Sequence, residues 1–139
     1  MWDEEIIRLQ NQIEDLKTDI RQLDEQIEQS EDLLVAVDRK QNDYIEACRL
    51  QKQKVFALRD SFPKVCFAVH YGECVGQLLS GTKQRRILEC YDELIRDILD
   101  QKRRLENEIE EVRRQVEGLE YRLEEAERQR ERENMQRSW

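Results

Sequence analysis

Apolar residues recur through the first sixty positions at alternating steps of three and four. Counted in sevens from Ile6, positions 6, 13, 20, 27 and 34 are Ile, Ile, Ile, Ile and Leu, and positions 9, 16 and 23 are all Leu. This is the a and d spacing of a coiled coil, with β-branched residues at a and Leu at d. The register weakens at Ser30, Gln41, Tyr44 and Cys48 without losing phase, then resumes at Val55, Leu58 and Phe62. A second stretch repeats the pattern. Leu88, Ile95, Lys102, Ile109, Val116 and Leu123 hold a, and Tyr91, Ile98, Leu105, Val112, Leu119 and Ala126 hold d. Near its start the seam widens, with Ile87, Leu94 and Leu99 beside it. A stripe that broad expects more than one neighbouring helix.

Between the two stretches lies "FPKVCFAVHYGECVGQLLSGTK", residues 62 to 83, with three formal charges and 11 apolar residues among its 22. Apolar positions at three and four through Val65, Cys66, Phe67, Val69, Tyr71, Cys74, Val75 and Leu78 predict a short helix, weakened by Gly72 and Gly76. Ser61 is placed to cap it, with Pro63 in its first turn; Gly81 is placed to stop it, and Thr82 to cap the next helix. The alternative is a strand-like "VCFAV" followed by a glycine-rich loop.

As helix, the first arm would run about 87 Å and the second about 75 Å. Fully extended, the connector reaches at most ~75 Å. Returning the chain along a whole arm would stretch it to its limit, so either the arms splay and pair with other chains or, as is expected, they run antiparallel within one chain. That arrangement brings Trp2 towards Trp139 and sets the polar a residues Gln41 and Lys102 within about a turn of each other, a layer that would fix register. The Ile-at-a, Leu-at-d pattern of residues 6–27 keeps a parallel dimer as the rival. The expected fold is all-α: one domain over 1–139, a long antiparallel coiled-coil hairpin with arms at 3–60 and 84–134 and an apolar tip at 61–83.

Composition sharpens this picture. Hydrophobic residues make up 38% of the chain and charged ones 40%, enough for a narrow seam but not for a thick globular core. The net charge of −8 argues against nucleic acid, which needs clustered Lys and Arg. No apolar run approaches the roughly 20 residues of a membrane span, and the acidic start lacks the apolar stretch of a signal peptide. A cytoplasmic protein with four free thiols is the expectation.

Cys66, His70 and Cys74 stand at i, i+4 and i+8, which places them on one helical face. With Cys90 or Cys48 as a fourth ligand they could hold zinc, although no Cys-x-x-Cys pair occurs. Cysteine is equally a small buried hydrophobe, and the main expectation is no metal and no cofactor. No orienting acid stands beside His70, no phosphate-cradling glycine loop occurs, and the carboxylates read as the solvent side of coiled coils. No enzymatic activity is expected.

The heptad-bearing first arm, a tip carrying "HYGE" and "LLSGTK", and the following "ILECYDELIRDILDQKRRLENEIEEV" together resemble the helical-hairpin accessory proteins of type VII secretion. These are relatives of the WXG-type proteins, and the likeness is to the small partners encoded beside LXG toxins. In place of Trp-x-Gly this chain has Tyr71-Gly72 and Leu79-Ser80-Gly81. The resemblance implies a cytosolic adaptor or chaperone that binds the helical targeting domain of a toxin. On this reading Phe62, Phe67, Tyr71, Val75, Leu78, Leu79, Ile87 and Leu94 are the expected contact patch. The partner is another helical protein, another copy of this chain, or both, in an oligomer or heteromeric complex. Two other readings stay open: a homodimeric scaffold or spacer, and a small zinc- or redox-responsive helical protein.

Overall fold

In a computed structural model the chain forms three helices: α1 (Trp2–Ser61), α2 (Cys66–Ser80) and α3 (Thr82–Ser138). Residues 2–62 and 64–138 are described, without the side chains of Phe67 and Ser80. No strand occurs among the described residues. The fold is an all-α helical hairpin of coiled-coil type, with α1 and α3 as its long helices and α2 between them in the chain.

Each long helix follows from its composition. α1 has neither Gly nor Pro in 60 residues, and Asp3, Glu4 and Glu5 in its first turn complement the positive end of the helix dipole. α3 carries one glycine, Gly118, in 57 residues and has Arg137 in its last turn. The charged faces add i, i+3 and i, i+4 pairs such as Glu110–Arg113 and Glu124–Arg128. Exposed pairs of this kind contribute about 0.3–0.5 kcal/mol each at most.

The chain divides into two compact units. The first comprises residues 1–30 and 101–139. Its core is a line of seam residues. Ile6, Leu9 and Ala126 form one buried cluster, with Trp2, Leu119 and Leu123 packed against it. Leu23, Leu105 and Ile109 form a second, flanked by Ile20, Ile27 and Val112. Ile13 and Val116 are buried as well. Every one of these except Trp2 is a predicted a or d position. The helices run antiparallel here, as cross-helix pairs show: Trp2 Nε1 donates to Glu133 Oε1 at 2.7 Å, Arg130 meets Asp3 at 3.3 Å and Lys17 meets Glu120 at 3.9 Å. Trp139, the expected neighbour of Trp2, lies outside the described residues.

The second unit, residues 31–100, holds the rest of the seam and α2. Val37, Cys48, Val55 and Ile98 are buried at the expected a and d positions. The antiparallel pairing continues within this unit: the Tyr44 and Tyr91 rings stand 6.2 Å apart at 41°, and Gln41 Nε2 donates to Asp92 Oδ1 at 2.9 Å. Lys102, paired with Gln41 in the sequence reading, forms an ion pair with Glu106 on its own helix.

Three local expectations are corrected. Ser61 does not cap α2; it is the last residue of α1, and Val65 in extended conformation precedes α2 without any side-chain cap bond. Pro63 lies outside the described residues. Thr82 does not cap α3 but is its first residue. Gly81 serves both helices, closing α2 while its carbonyl accepts the Arg85 N–H that opens α3 at 3.2 Å. Leu58 and Phe62, expected on the seam at d and a, are exposed. Here α1 presents a neighbouring stripe to α2. A Cβ added at Gly72 would stand 3.2 Å from Arg59 Cβ, and one at Gly76 would stand 3.2 Å from the Phe56 ring. Ala68, Gly72 and Gly76, at i, i+4 and i+8, are all buried and form the face by which α2 lies close on α1.

Candidate interaction surface

The unit of residues 31–100 leaves much of its apolar surface uncovered. Of 15 exposed large apolar residues among those described, 12 fall in this unit and three (Ile7, Tyr121 and Met135) in the other. Charge is divided the opposite way. Residues 31–100 hold 12 acidic and 11 basic side chains, so nearly all of the net −8 lies elsewhere in the chain. Exposed large apolar side chains are thus concentrated in the nearly charge-neutral unit.

The exposed residues follow helical periodicity. On α3, Ile87, Cys90 and Leu94 step by three and four along one side and, with Arg86 and Tyr91, line a shallow open pocket. Ile87 and Leu94 occupy successive g positions of the heptad and Leu99 an e position, so two-helix pairing at a and d leaves them uncovered. A neighbouring helix with its own apolar i, i+3 and i+7 residues would complete this stripe. The Tyr44–Tyr91 and Gln41–Asp92 contacts described above fix the α1–α3 pairing beside it.

Burial, followed by a bond to the Cys48 side chain and repulsion from Cys48 and Tyr91, holds the Tyr44 phenol above its ordinary pKa. The folded state therefore keeps this proton more tightly than the unfolded chain does. The associated stability is complete below the ordinary tyrosine range and is lost as pH climbs through the raised value. Alkaline titration followed by tyrosinate absorbance should show one phenol that ionises later in the folded protein than in urea. The Tyr44→Phe variant should lack that late component.

The expected contact patch is only partly gathered. Phe62, Tyr71, Leu78, Ile87 and Leu94 are exposed, Val75 and Leu79 are half-buried, and the side chain of Phe67 lies outside the described residues. The outward face of α2 thus carries Tyr71 and Leu78, whereas Val75 and Leu79 turn part of their surface inward. Cys90 belongs to the apolar stripe of α3; its i, i+3 relation to Ile87 and i, i+4 relation to Leu94 was the sequence signal for that place.

The four candidate metal ligands are not gathered into one set. Among the described residues no three His, Cys, Asp or Glu side chains converge closely enough to share an ion. Cys66, Cys74 and Cys90 are exposed and Cys48 is buried. Within the set, His70 Nε2 and Cys74 Sγ stand 3.7 Å apart. No described helix is long and apolar enough to cross a membrane.

No protein-family model, curated protein or solved structure matches the chain.

Proposed function

We propose that this protein is a non-enzymatic binding module of the cytoplasm that takes a helix of another protein against its residue 31–100 unit. The observation that carries this reading is the concentration of exposed large apolar side chains in a nearly charge-neutral half of a strongly acidic chain. The Ile87–Cys90–Leu94 stripe receives the apolar side of the partner helix, and Arg86 at its edge favours an acidic residue flanking that side. In its concrete form, resting on the sequence likeness, the chain is an accessory adaptor of type VII secretion and the partner is the helical targeting domain of a toxin encoded beside it.

Co-expression of the full chain with that targeting domain tests both levels. A soluble complex of the two is expected. Ile87→Asp combined with Leu94→Asp should weaken it at least about tenfold, because two central apolar anchors would each have to bury a carboxylate. Both positions are exposed, so helicity and thermal stability of the double variant should match the parent. A complex that tolerates both substitutions would remove the stripe from the interface. A targeting domain that fails to bind at all would remove the type VII assignment. The same unit could instead pair with itself; sedimentation of the metal-free chain alone, at micromolar concentration, decides between monomer and dimer.

A further inference from the structure

His70 and Cys74 occupy adjacent turns of α2 on the side away from Ala68, Gly72 and Gly76, the residues that face α1. At 100° per residue the direction midway between positions 70 and 74 is opposite the direction of position 72. The pair therefore stands at the centre of the outer face of α2, and both residues are exposed. Tyr71 and Leu78, each also exposed, lie together on one side of it.

The separation of the two donors is informative. Zinc binds thiolate sulfur at about 2.3 Å and imidazole nitrogen at about 2.0–2.1 Å, so the S···N edge of a tetrahedral site is close to 3.6 Å. The His70 Nε2 to Cys74 Sγ distance is 3.7 Å. One helical turn thus presents two zinc ligands at the spacing the ion requires. No third His, Cys, Asp or Glu side chain among the described residues joins them. A single chain offers half of a site.

We propose that His70 and Cys74 are a zinc half-site completed by the same two residues of a second copy. A two-fold axis through the metal supplies two sulfurs and two nitrogens, the ligand set of a closed structural site. Each thiol releases its proton to water as the ion binds, so one zinc displaces two protons and the two thiolates neutralise its charge. The second copy is favoured over an unrelated partner on two grounds. The half-site is self-complementary in ligand number, and the surrounding unit has 12 acidic against 11 basic residues, so two copies meet there without the repulsion that the rest of the chain would impose. Tyr71 and Leu78 lose water from their exposed surface in the same contact. This inference does not depend on the proposed helix-binding stripe, which lies on α3.

The experiment is a titration of the reduced, metal-free full chain with zinc chloride, followed by sedimentation and by a chromogenic count of free zinc. The expected result is saturation at one zinc per two chains, with a dimer that disappears on adding a chelator. Cobalt(II) in place of zinc should give the intense visible bands of a tetrahedral site with thiolate ligands. His70→Ala and Cys74→Ser should each weaken zinc binding by more than the roughly 100-fold that loss of an outer-shell partner costs. Cys66→Ser and Cys90→Ser should leave it unchanged. All four positions are exposed, and circular dichroism of each variant confirms that its helices are retained. One zinc per chain, zinc uptake without dimerisation, a dimer indifferent to chelator, or binding that survives Cys74→Ser would each overturn the proposal.

Discussion

Leu9→Ala is expected to lower the unfolding free energy by about 2–3 kcal/mol, within the range for Leu-to-Ala changes in cores. Leu9 has the lowest exposure of any described side chain, 2%, and sits between Ile6 and Ala126 with Trp2, Leu119 and Leu123 around it. Removal of its three outer carbons leaves a void among residues held on two separate helices. A two-helix seam is open at its sides and can partly collapse, which puts the expected cost in the lower half of the range. Ile7 provides the control. It is the same size, two positions away and 56% exposed, so Ile7→Ala should change stability by no more than about 0.5 kcal/mol. Urea unfolding followed by helicity measures both: the midpoint falls for Leu9→Ala with unchanged slope, and hardly moves for Ile7→Ala. Equal effects at the two positions would mean that residues 1–30 do not pair with residues 101–139 in the register described.

That contrast also marks how far periodicity alone reaches. Adjacent residues on a helix point about 100° apart, so a sustained 3–4 repeat fixes which side chains meet. Spacing places Ile6, Leu9, Ile13, Leu23, Leu105, Ile109, Val116 and Ala126 on the seam, and all are buried. The same rule misplaced Leu58 and Phe62 because it describes one seam. After Val55, α1 meets α2 through Phe56 and Arg59, and a heptad carries no information about a third helix arriving from the side. The cue lay in α2 itself. Ala68, Gly72 and Gly76 repeat at intervals of four, and the glycines, poor helix formers by propensity, are thin enough for close approach. On α2 the smallest residues face α1, while Tyr71 and Leu78 stay exposed to one side of that contact.

The candidate surface was legible to a similar extent. Ile87, Leu94 and Leu99 stood beside the seam in the sequence and remain uncovered in the folded unit, since g and e positions are shielded only when a further helix is present. His70 and Cys74 were recognisable as ligand types on one face, but their 3.7 Å separation depends on side-chain rotamers that spacing does not specify.

Gly81→Ala should cost about 2–3 kcal/mol, the upper part of the range for forcing an extra carbon into filled space. Chain entropy alone predicts the reverse, since alanine shrinks the freedom of the unfolded chain. The backbone angles do not forbid it: φ is −88° and ψ is −166°, extended values open to any residue. The obstacle is contact. A Cβ at this position would stand 2.6 Å from the Gln77 carbonyl oxygen. That oxygen belongs to the last turn of α2, so it cannot swing aside as a side chain would. Relief requires either opening that turn or tilting α3, whose first hydrogen bond is the one from Arg85 N–H to the Gly81 carbonyl. Gly118→Ala separates this effect from propensity. Gly118 lies inside α3 with nothing within 4 Å of an added Cβ, so alanine there should stabilise by roughly 0.5–1 kcal/mol. Amide hydrogen exchange should show faster opening for α2 and the start of α3 in Gly81→Ala, and slower opening around residue 118 in Gly118→Ala. If both variants gained stability, α2 and α3 would not meet through the tight junction at Gly81, and the outer face of α2, with His70 and Cys74, would lose its fixed orientation relative to the Ile87–Leu94 stripe.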